Sequence, residues 1–121
     1  MPYRERHFVR RDTLLATSDF VLSPGWGNTA AVTSVSGTDQ GWKITVTANG
    51  SGIAVNPTVT LTFKDGAWAN TPVSITKITD RTGIITDLTE VATTTTDVIT
   101  FQGTPTAGHT YIISSIVTGT T

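Results

Sequence analysis

The chain of 121 residues contains no cysteine. Disulfides and thiolate metal sites are therefore excluded, and the fold must rest on its core, its hydrogen-bond ladders or its partners. Charge is scarce as well, at 14% of residues. Solubility then depends on hydroxyls and amides, a surface suited to contact with another molecule and equally to a robust extracellular domain. The two histidines, His7 and His109, lack any H-x-x-H or H-E-x-x-H spacing, so no metal site is expected. His109 reads as a loop residue or an intersubunit contact. There is no apolar run of about 18 residues, so no membrane partner is expected. The start, MPYRERHFVRR, is too polar for a signal-peptide core, which predicts synthesis in the cytosol.

The motifs of chemistry are missing too. No P-loop, G-x-S-x-G or G-x-G-x-x-G occurs. Gly25-Trp26-Gly27 is glycine-rich but lacks the lysine and helix that phosphate binding needs. The acids Asp80, Asp87, Glu90 and Asp97 do not follow a calcium-loop pattern. Paired carboxylates hydrolyse glycosides only across a cleft, and these four are expected to be solvated loop acids. We therefore expect no catalytic residue, no cofactor and no enzyme.

What is present is threonine, roughly a fifth of the chain. Its β-branched side chain suits a pleated strand, and its hydroxyl keeps the outer face wet without charge. Alternation of apolar and hydroxyl residues recurs along the sequence. Trp42, Ile44, Val46 and Ala48 share one face, as do Val59, Leu61 and Phe63. Ile99 and Phe101 share a face, as do Tyr111, Ile113, Ser115 and Val117. That is the period of strands, and Gly/Pro/Asn turns separate the runs. Ala30–Ser36 alternates in either of two phases, so its facing is ambiguous. Pro72–Thr79 offers Val73 and Ile75, then Ile78 out of phase, which predicts a bulge. Thr82–Val91 offers Ile84, Ile85, Leu88 and Val91 in mixed phase. The pattern predicts an all-β, antiparallel sandwich or jelly roll of about seven or eight strands, with an extended N-terminal arm. The expected units are an arm over residues 1–22 and a body over 23–121, split at the SPGWGN turn.

Charge is uneven. Residues 1–11 carry Arg4, Arg6, Arg10 and Arg11 against Glu5, a net of +3, and leave −4 on the remainder of a chain whose total is −1. Tyr3, Phe8 and Val9 interleave with the arginines. A basic arm with apolar residues on an acidic body predicts a tether to an acidic surface or to nucleic acid, against the alternative of a frayed, solvated terminus. Leu14, Leu15 and Phe20 extend the apolar content of the arm and are expected to dock with it. Trp26 and Trp68 lie in turn segments and are either interface anchors or plugs over the ends of the core.

From Pro24 to Gly119 the sequence resembles a small β module of tailed-phage virion proteins. The likeness lies in "GWG" (25–27), "VSGTD" (35–39), "ITVT" (44–47), "NPTVTLTF" (56–63) and the closing TFQGTPTAGHTYIISSIVTG. Such modules stand at the ends of fibre-like proteins and alone as small head proteins. The resemblance implies a structural role and supplies no active-site residues. The short arm, without shaft repeats or collagen-like linker, favours a capsid decoration (cement) protein. That implies a trimer whose partner is the major capsid protein, not nucleic acid. The competing expectation is a receptor- or glycan-binding tip using Trp26, Trp68 and the loop near His109.

Overall fold

A computed structural model describes residues 11–80 and 85–119 of the protein, with residues 85 and 86 described by their backbone. Two antiparallel sheets form a sandwich. In chain order the strands are β1 (Phe20–Leu22), β2 (Ala31–Thr38), β3 (Gly41–Thr47), β4 (Thr58–Thr62), β5 (Val73–Asp80), β6 (Ile85–Thr86), β7 (Leu88–Ala92), β8 (Thr96–Phe101) and β9 (Thr110–Thr118). One sheet has the order β1-β4-β8-β7, the other β2-β3-β9-β5-β6. Thr17–Asp19 and Pro24–Trp26 are single 3-10 turns.

The threonine-rich alternation acts as expected. Trp42, Ile44, Val46, Val59, Leu61, Ile99, Phe101, Tyr111 and Ile113 are buried in one core between the sheets, and Phe63 joins them just past β4. Their neighbours along each strand face outward, as the period of two requires. Three aromatic groups span the core from end to end. Trp26, Phe101 and Tyr111 pack at one end with ring centroids 5.1–5.7 Å apart. Phe20 meets Trp42 edge-on at 5.0 Å, and Phe63 meets Trp68 at 5.7 Å toward the other end. Such edge contacts add to the area that the rings bury.

Three strand expectations are corrected. The ambiguous facing of Ala30–Ser36 has a physical cause: the β2–β3 register shifts between Val32 and Ser34. The irregularity changes the phase, so both Val32 and Val35 pack against the core. The bulge expected in 72–79 is absent; β5 pairs with β9 without a break from Val73 to Asp80. Ile78 is the inward residue, and Val73 and Ile75 face out. Finally, Phe20–Leu22 is a strand and not arm: it pairs with Val59–Leu61 as the edge of its sheet. Ile84 lies outside the described residues, while Leu88 packs on the core and Val91 is exposed.

Candidate functional site

The residues expected to bind a partner separate into three groups. Tyr3, Arg4, Arg6, Phe8 and Arg10 lie outside the described residues. Leu14 is 72% exposed. Arg11, Leu15 and Phe20, expected in the docking arm, are buried in the body, because the segment after Arg10 folds onto the sandwich. Leu15 donates its N–H to the Gly37 carbonyl at 2.9 Å, beside the β2–β3 turn. Trp26 and Trp68 are likewise buried and act as plugs at opposite ends of the core.

Arg11 is the most specific of these positions. Only 3% of it is exposed. Its Nη1 donates to Asp39 Oδ2 at 3.0 Å and to the Gly66 carbonyl at 2.9 Å. Its guanidinium carbon lies 3.7 Å from the centre of the Trp68 ring, a cation–π stack that satisfies the flat face of the group. Asp39, in the β2–β3 turn, is completely buried. Besides Arg11 it accepts from the N–H groups of Lys64 and Asp65 at 2.9 and 3.0 Å, in the turn after β4. One carboxylate thus ties together the first described residue, a turn of one sheet and a turn of the other. The neighbouring Thr13 reinforces this by donating both N–H and hydroxyl to Asp65. Gly119, at the end of β9, sits so close to Trp68 that an added Cβ would lie 2.9 Å from the indole. Both described ends of the chain therefore meet at Trp68.

Two further polar groupings contain acids that were expected in solvated loops, while His109 lies in the loop before β9 as expected. Asp97, expected to be a solvated loop acid, is fully buried on β8, in phase with Ile99 and Phe101. Its Oδ2 accepts from Ser74 Oγ of the facing sheet at 3.1 Å. Its Oδ1 and Glu90 Oε2 are both buried and meet no N–H or hydroxyl donor among the described residues, which leaves the two carboxyl groups to share a proton. Burial, and then the adjacent Glu90 carboxyl, push the Asp97 carboxyl up to about 8. The signal for this was available: Asp97 holds the inward register of its strand. At the far end of the sandwich, His109 Nδ1 lies 2.8 Å from Asp80 Oδ2. Asp80 also borders a cleft of about 250 Å³, lined further by Phe101, Gln102, Gly103, Thr104, Thr106 and Tyr111. The Tyr111 hydroxyl accepts from the Thr106 N–H at 2.9 Å, so the ring is held by its own loop.

Among the described residues no group of three or more His, Cys, Asp or Glu side chains is arranged to hold a metal ion. No described helix is long and apolar enough to cross a membrane. No protein-family model matches the chain, and no curated protein or solved structure is significantly similar to it.

Proposed function

We propose that the chain is a virion structural protein that decorates and stabilises the outer surface of a phage capsid by binding the major capsid protein. The observation that supports this reading is the Arg11–Asp39–Trp68 clamp. It holds Arg11, the residue that follows Tyr3, Arg4, Arg6, Phe8 and Arg10 in the chain, to turns of both sheets, so whatever those residues grip is joined through the chain to the sandwich. Cementing requires this kind of firm joint and no catalysis. A trimeric assembly and a location on the outer capsid belong to the same proposal.

The test is a copy count and a truncation. Mass spectrometry of purified particles should find hundreds of copies of the chain per virion. Removing residues 1–10, and leaving Arg11 in place, should give a folded body that binds capsids more weakly. A handful of copies at the tail would overturn the reading.

One observation favours a second reading, a receptor- or glycan-binding tip. The cleft bordered by Asp80, with Gln102, Thr104 and Thr106 in or beside it, offers hydroxyl, amide and carboxylate groups of the kind that hold a polyol. Chemical-shift changes confined to those residues on adding host glycans, with few copies per particle, would support it over decoration.

A further inference from the structure

A solvated sheet face normally carries polar residues, with apolar ones turned inward. On β5 this order is inverted. Ser74 and Thr76 face the interior, where they bond Asp97 and Ser115, while Val73 and Ile75 face outward at 65% and 72% exposed. Scattered exposed aliphatics are ordinary, but these are contiguous. Ile75 lies directly opposite Ile116 of β9, itself 61% exposed, and Val73 follows on the same face. On its other side Ile116 faces Gly41 of β3, which has no side chain to cover it.

The next row sets the charge. Lys77 and Lys43 both lie opposite Ser114, one on each side, and both are exposed. Strands about 4.8 Å apart start the two lysine stems roughly 10 Å from each other. No Asp or Glu lies on this face among the described residues; Asp80, at the end of β5, turns inward to His109. The face is thus an apolar strip of Val73, Ile75 and Ile116 beside a pair of cations.

That chemistry selects the occupant. A second copy meeting face to face about a two-fold axis would bring together two faces that each carry these lysines and no described carboxylate, and like charges at an interface are costly; the contacts of a trimer are head-to-tail and would not pair this face with itself. A bilayer surface would favour aromatic residues, which this face lacks. We propose that the outer face of the five-stranded sheet is a docking surface for a protein patch with an apolar centre and bordering carboxylates. This rests on the decoration reading, under which the patch belongs to the capsid shell, and it adds a second contact distinct from residues 1–10.

The experiment measures occupancy on capsids assembled from the major capsid protein encoded with the chain. It compares wild type, I75S/I116S, K43E/K77E and the chain lacking residues 1–10. All four substituted positions are exposed, so both double variants should melt as wild type does. We expect each double variant to lose about tenfold or more in affinity, as removal of anchor residues does, and the truncated chain to keep binding that I75S/I116S then abolishes. Double variants that bind like wild type would overturn this inference and leave the decoration reading intact. A wild-type chain that binds no capsid would overturn both. A wild-type oligomer in the ultracentrifuge that I75S/I116S dissociates would assign the face to a second copy, and variant-sensitive binding to anionic phosphatidylserine vesicles would assign it to lipid; either result overturns the proposal.

Discussion

Asp39 holds three partners from distant parts of the chain, since its carboxylate receives Arg11 and two backbone N–H groups. Asp39→Ala leaves a buried guanidinium with no counter-ion, and breaking one side of a buried pair costs about 3–5 kcal/mol. Denaturant unfolding should show that loss, whereas Lys64→Ala, which removes a half-exposed pair with Asp19 at 3.0 Å, should cost under about 1 kcal/mol. Asp97 predicts a pH dependence of definite sign. Its folded carboxyl titrates near 8, against an ordinary value near 4 in the unfolded chain. Between those values the folded state holds a proton that the unfolded state has released, so stability falls as pH rises through that window and levels off above it. Melting temperature should decline from about pH 4 to about pH 8, and Asp97→Asn should flatten the decline. A profile that rises over that range in the wild type would show that the carboxyl is not held neutral.

At the scale of elements, the strands whose apolar residues keep one phase were legible: β3, β4, β8 and β9 fold with the facing their alternation implies. The failures share a cause. Period-two reading assumes that the apolar phase is the inward one, and β5 breaks that assumption by turning Ser74 and Thr76 into the core. In β2 a register shift mixes both phases, which no count of alternation separates. Asp97 and Arg11 were misplaced because charged residues are assigned to solvent by default, and their partners, Ser74, Asp39 and Trp68, lie between 23 and 57 positions away in sequence. The facing of β5 is testable. Ile78→Ala should cost about 2–5 kcal/mol, as large-to-small core changes do, and Ile75→Ala should stay within about 0.5 kcal/mol, as exposed changes do. Equal losses at the two positions would contradict the register. Phe101→Ala, which removes a ring packed on both Trp26 and Tyr111, should cost about 3–5 kcal/mol.

For the whole molecule, residues 11–22, which a boundary at residue 22 assigned to the tether, supply a clamp, an edge strand and core side chains to the body. Truncation at Arg10 should leave a folded, cooperatively melting body, because Arg11, Leu15 and Phe20 remain. Truncation at Leu22 removes an edge strand, the clamp and two core side chains. Against a total stability of about 5–15 kcal/mol, that loss should leave a chain unable to hold its near-ultraviolet dichroism at 25 °C. Two truncated chains of equal stability would restore the original boundary.

The meeting of Arg11 and Gly119 on one indole has a consequence for engineering the chain. In a chain trimmed to residues 11–119, the two ends would lie side by side, so they can be joined by a short glycine linker and new ends opened elsewhere, a circular permutation. The loop from Gln102 to His109 is at the other pole of the sandwich, where β9 begins and Gly108 stands in an open left-handed turn. A permuted chain cut there would point its termini away from Trp68. Any peptide fused to those termini would project from the pole farthest from the clamp.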